Sequence, residues 1–171
     1  MNTIPVTKRE LWSWSMYDFA NSGYTTVVIT AIFNAYFVGV IAGGASWATL
    51  LWTTVFAISY LIVMFLGPVL GRVADRHASK KRFLLISTIG CVLTTLLLAP
   101  VAARGNDWLW IACVVFIASN VFYALGENFT ASFLPELSTS KDIAKVSAWG
   151  WSLGYVGGLI TLGVCLWWVT S

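Results

Sequence analysis

Apolar residues fill five long stretches of the chain, roughly 11–38, 47–69, 83–103, 108–132 and 145–169, with polar residues gathered in the short intervals between them. Each stretch approaches or exceeds the about 20 residues with which a helix crosses a bilayer. Runs of this length predict helices; spanning strands are about half as long and alternate in polarity. The expected fold is therefore all-α, a polytopic transmembrane helix bundle of about five spans forming a single transmembrane domain over residues 1–171.

Composition points the same way. The chain is 58% hydrophobic and only 10% charged, with a mean hydropathy of +0.81. A water-solvated surface requires roughly a quarter charged residues, so this surface is expected to meet lipid. The net charge of +3 comes from basic residues in short loops, a pattern that sets membrane orientation and does not form a nucleic-acid patch. Cys91, Cys113 and Cys165 all lie within apolar runs and read as small hydrophobes. Lys8 and Arg9 precede an apolar run too long for a cleavable signal, so the first span is expected to be retained.

Orientation follows from Lys and Arg. With the amino terminus in the cytoplasm, nine of the ten basic residues are cytoplasmic and only Arg104 lies outside. The expected location is thus the cytoplasmic membrane, with the carboxyl terminus outside. The ten tryptophans are expected at span ends, where indole meets the headgroups: Trp12, Trp14, Trp149 and Trp151 inside, and Trp47, Trp52, Trp108, Trp110, Trp167 and Trp168 outside. Pro68 and Pro135 are expected near span ends, where a helix stops cheaply, Pro100 as a kink in the third span, and Pro5 ahead of the first.

Two carboxylates fall inside or at the edge of the apolar runs, where ionised groups are costly and usually paired or functional. Asp18 lies about two turns into the first span, with Tyr17, Asn21, Ser22 and Tyr24 near it. It reads as a proton or amine site, or else as an intramembrane hydrogen-bond node or a gate ion pair. Glu127 lies almost a full membrane thickness from Trp108, near the cytoplasmic boundary, where it can reach water. Asn128-Phe129-Thr130 matches a glycosylation sequon on the side where that modification does not occur. In the fifth span Gly150, Gly154 and Gly158 form a smooth stripe for close helix packing, and Thr139-Ser140-Lys141-Asp142 ahead of it fits a capping box.

The stretch after the second span reads Gly71-Arg72-Val73-Ala74-Asp75-Arg76-His77-Ala78-Ser79-Lys80-Lys81-Arg82. It resembles the signature loop of the major facilitator superfamily, with Gly71, Val73, Ala74, Asp75, Arg76, Lys80 and Arg82 matching. Ala78 stands where the pattern has its second glycine. Gly71 would let two helices approach, and Asp75 would cap the next element and pair with a neighbouring arginine. Tyr17-Asp18-Phe19-Ala20-Asn21-Ser22, Leu134-Pro135-Glu136-Leu137 and the glycine-rich fifth span are similar to the vacuole effluxer-like family of that superfamily. The resemblance implies the amino-terminal half of a facilitator without its sixth helix. Asp75 and Arg76, with Gly71, Lys80 and Arg82, would form the cytoplasmic gate. Tyr17, Asp18, Asn21, Tyr24 and Glu127 would line a path for a small polar solute such as an amino acid, with proton coupling one reading of Asp18. Partners would be the bilayer, the solute, and a second chain or the missing carboxyl-terminal half. A non-transporting membrane module, an assembly partner or truncated remnant, is the alternative.

No nucleotide loop, metal-ligand cluster or nucleophile–base pair appears, and the lone His77 lies in the basic stretch. An enzyme, a cofactor or a metal is not expected.

Overall fold

The computed structural model describes residues 6–139 and 141–171. Among them, five helical segments are long and apolar enough to cross a membrane: Lys8–Ile41, Ala48–Arg76, Lys80–Ala102, Gly105–Leu137 and Ile143–Thr170. The first comprises α1 (Lys8–Tyr24), a π-helical stretch (Thr25–Thr30), α2 (Ile32–Tyr36) and a second π-helical stretch (Phe37–Ile41). The second and third are α3 (Ala48–Arg76) and α4 (Lys80–Ala102). A 3-10 turn (Gly105–Trp108) leads into α5 (Leu109–Ala131) and the short α6 (Leu134–Leu137), and α7 (Ile143–Thr170) follows.

Local sequence accounts for several boundaries. Thr7 caps α1 with its hydroxyl, accepting from the Glu10 amide at 3.3 Å while the Glu10 carboxylate accepts from the Thr7 amide at 2.8 Å. This reciprocal pair satisfies two amides that the first turn leaves open. The first π-helical stretch is Thr-Thr-Val-Val-Ile-Thr, all β-branched and stiff at χ1. There the Thr30 hydroxyl donates to the Thr25 carbonyl five residues back at 2.8 Å, following the wider π turn.

The chain divides into two compact units. One contains the described parts of Met1–Ile32 and Thr130–Ser171, and the other is Phe33–Phe129. In the first, α1 and α7 pack along their lengths. Trp14 lies on Gly150, Asp18 on Gly154 and Thr26 on Gly158, so residue numbers rise together and the helices run parallel. The Trp14 indole donates to the Thr130 carbonyl at 2.9 Å, tying the end of α5 to this pair.

The second unit is keyed by larger side chains. Phe37, Trp52 and Phe116 form its aromatic centre, with ring centroids 5.2 Å apart for Phe37–Trp52 and 4.4 Å for Trp52–Phe116. Trp52 lies in the first turns of α3, at a span end as expected, but is only 7% exposed and packs inward. Its ring has three aromatic neighbours, Phe33, Phe37 and Phe116. Beyond this cluster lies a polar layer. Asn120 on α5 donates to the Ser59 hydroxyl on α3 at 2.5 Å, and Ser119 shares a hydrogen bond with Thr95 on α4 at 2.8 Å. Adjacent residues of α5 thus grip two different helices. Apolar burial gives little net drive between helices in lipid, so such bonds and close packing take its place.

Two expectations are corrected. Pro68 does not end its helix; α3 continues through it to Arg76, and the Pro68 carbonyl accepts from Arg72 Nε at 3.3 Å. The ring's missing N–H takes the helical donor from the carbonyl four residues back, at Met64, the loss of one bond in a helix of 29 residues. At residues 139–142 the Thr139 hydroxyl donates to the Asp142 carboxylate at 2.9 Å, and among the described residues no side chain caps an α7 amide, so the two ends of the expected box meet each other instead. Ser140 and Pro5 lie outside the described residues.

Candidate functional site

Tyr17, Asp18, Asn21 and Tyr24 all lie on α1 in the first unit. A ridge of the first spanning segment runs through Trp14, Asp18 and Ser22 of α1 and on to Thr26 of the π-helical stretch, about one residue per turn, and faces the glycines of α7. A Cβ on Gly150 would stand 2.6 Å from the Trp14 ring, and one on Gly154 would stand 2.6 Å from Asp18 Oδ2. The Asp18 carboxylate therefore occupies the notch left by the side chain that Gly154 lacks. Thr26 locks the far end of the seam by donating to the Gly158 carbonyl at 3.2 Å.

The seam is tighter than the spaced glycines alone convey. A Cβ on Gly157 would run into the Phe19 carbonyl oxygen, and Gly23 on α1 in turn receives Thr161. Neither glycine follows from a four-residue period. The adjacency of Gly157 and Gly158 is the signal that two strips of α7 face α1.

Asp18 lies ten residues into α1, about 15 Å along its axis from Lys8 and about two turns past the charged opening Lys8-Arg9-Glu10. The Ser22 hydroxyl, also over Gly154, donates to the Asp18 carbonyl at 2.9 Å. Among the described residues no cation forms an ion pair with Asp18. Glu127 belongs to the other unit, partly buried on α5.

The signature stretch is mostly helical, which corrects its reading as a loop. Gly71–Arg76 completes α3 and Lys80–Arg82 opens α4, leaving His77–Ser79 as the connection. Asp75 pairs with Lys80 at 3.4 Å, in place of the expected arginine, because the tight reversal returns the first residue of α4 to the last turn of α3. It does not cap α4, whose N-cap residue is Ser79. Among the described residues Gly71 has open space where its Cβ would be.

The reversal itself explains the second glycine of the pattern. Ser79 N–H bonds the Ala74 carbonyl at 2.9 Å and Ala78 N–H bonds the Asp75 carbonyl at 3.3 Å. Together they form a Schellman closure, whose pivotal residue is left-handed. That residue is Ala78, at φ +47°. A β-carbon is disfavoured there, which is why glycine suits the position.

Comparison with known proteins fits these features. Residues 34–171 match the family model described as "Vacuole effluxer Atg22 like". The chain belongs to that family. It is 34% identical over 158 residues to an uncharacterized MFS-type transporter, YxiO, of Bacillus subtilis, covering 90% of this chain and 36% of the relative. It is 28% identical over 157 residues to the ectoine/proline transporter ProP of Corynebacterium glutamicum, covering 88% of this chain and 30% of that protein. The chain thus spans about a third of the length of these curated relatives. No solved structure matches it. With five helices apolar enough to span and this family membership, the chain is an integral membrane protein of the major facilitator type.

Proposed function

We propose that this chain forms part of a secondary transporter for a small polar solute of the amino-acid class, with Asp18 as its proton or amine site. The observation that carries the reading is the Asp18 carboxylate at mid-helix in the α1–α7 seam, over Gly154 and without an ion-pair partner among the described residues. A carboxylate at that depth is costly unless it is protonated or meets a cation, which is the alternation a coupled transporter uses. The family's effluxer description and the naming of one relative as an ectoine/proline transporter support the solute class. Tyr17, Asn21 and Tyr24 supply polar groups on the same helix. The basic-residue count supports a cytoplasmic amino terminus, and with it a cytoplasmic gate at Asp75 and Arg76.

The test is flux of proline and other neutral amino acids into proteoliposomes holding the protein expressed from its complete gene, with and without a proton gradient. We expect gradient-driven flux, and near-complete loss of its pH dependence in Asp18→Asn. Unaltered pH dependence in that variant would remove Asp18 as the proton site. Absence of flux from well-folded protein would favour the non-transporting module.

A further inference from the structure

A groove of about 960 Å³ opens at the end of the first unit where α1 and α7 both begin. That volume is near the top of the range for small-ligand sites. One wall is the Lys8, Leu11, Trp12 and Ser15 face of α1, another is the Asp142, Lys145, Val146 and Trp149 face of α7, and α6 with the segment after it closes the third side. The residues on each helix are spaced three or four apart, so each set forms one face.

The two walls carry the same sequence of chemistries at the same depth. Trp14 on Gly150 and Asp18 on Gly154 keep one register along the parallel helices. That register sets Lys8 level with Lys145, and Trp12 level with Trp149, each to within a residue. The groove therefore has a lysine level and, about 6 Å deeper into the spans, a tryptophan level. Asp142 lies one turn outside Lys145, and Glu136 of α6 also lines the groove. Neither lysine forms an ion pair among the described residues, and Trp12 and Trp149 are 55% and 56% exposed.

We infer that this groove binds the headgroup of a phospholipid bearing a primary amine, of the phosphatidylethanolamine type. The order of groups along the walls is the order along such a lipid entering from the membrane. The ammonium, outermost, meets Asp142 and Glu136. The phosphate meets Lys8 and Lys145, and the glycerol esters meet the indole level, where N–H donors favour the carbonyl region. Two lysines and two carboxylates complement a zwitterion better than a purely anionic headgroup. Asp142 accepts one hydrogen bond from Thr139, and a carboxylate has further acceptor sites for an ammonium. A choline headgroup offers the same charges but no N–H to donate, so it is expected to bind less well.

Lipid titration monitored by native mass spectrometry tests the inference, using the purified full-length protein and phosphatidylethanolamine, phosphatidylcholine or phosphatidylglycerol with identical acyl chains. We expect a tightly held phosphatidylethanolamine, preferred about tenfold over the other two. Lys8→Gln with Lys145→Gln weakens phosphatidylethanolamine about tenfold or more, whereas Arg104→Gln in the other unit leaves it unchanged. Glu136→Gln with Asp142→Asn erases the preference over phosphatidylcholine while retaining the phosphate contact. Equal binding of all three lipids, preference for phosphatidylglycerol, or an unaffected lysine double variant would overturn the assignment. Helical content by circular dichroism confirms that each variant is folded, and the carboxylate pair reads out independently of the lysine pair.

Discussion

The two units bury their helices by different means. In the first, α1 and α7 approach until Gly157 meets the Phe19 carbonyl oxygen and the Asp18 carboxylate fills the space over Gly154. Gly150, Gly154, Gly157 and Gly158 of α7 make that seam, each receiving a residue of the first spanning segment: Trp14, Asp18, Phe19 or Thr26. In the second, α3, α4 and α5 stand around Phe37, Trp52 and Phe116 and are fastened by the Ser59–Asn120 and Thr95–Ser119 hydrogen bonds. One amide atom of Asn120 is still left without a partner. The first arrangement is governed by what cannot be added, and the second by which side chains meet. A costly carboxylate is thus held against the bare backbone of α7 at Gly154.

Enlarging the seam glycine should have the largest effect. Gly157→Val forces the α7 backbone away from Phe19 and is expected to destabilise the protein by about 3 kcal/mol, as strong overpacking does. Gly163→Val, on the same helix but with open space at its Cβ, should change stability by less than about 0.5 kcal/mol. Unfolding of both variants in mixed detergent micelles measures the difference. Similar costs would mean that the seam is not governed by backbone contact.

The side-chain fastening of the second unit is expected to be weaker and separable. Asn120→Ala and Ser59→Ala, singly and together, should show a coupling energy of about 1 kcal/mol, typical of a hydrogen bond within a membrane protein. Additive effects would show that packing, not the bond, carries the contact.

The smallest effect is expected in the turn after α3. Ala78→Gly removes the left-handed strain at φ +47°, and the gain is offset in part by the freedom glycine has when unfolded. A net stabilisation of about 0.5 kcal/mol in the same assay is the expected result. A loss would show that the alanine side chain holds the turn.

The spacing of apolar runs already conveyed the helical class and the number of spanning segments, since lipid exposure demands them whatever packs on what. Family membership was legible in the Gly71–Arg82 stretch and the glycine-rich fifth span, which lie within the matched residues 34–171. The identity of the glycine contacts was less so. Gly154 and Gly71 look equivalent in the chain, yet one faces a carboxylate and the other empty space. Trp52 sits five residues from Trp47 near a span end and is a core residue, because facing direction along a helix depends on its neighbours. Asn120 was missed altogether. A lone amide in an apolar span was the available signal, but its bond to Ser59 joins residues far apart in sequence.

What the amino-acid sequence determined alone is the solvent of each segment. Transfer of long apolar runs into lipid is a sum over residues, so composition and period suffice to read it. What only the tertiary structure decided is the parallel register of α1 and α7, and with it the position of Asp18 over Gly154 and the level pairing of lysines and tryptophans. Close approach, a notch filled by a neighbour's carboxylate and a groove between two helix ends are properties of pairs of surfaces, and no single stretch of chain contains them.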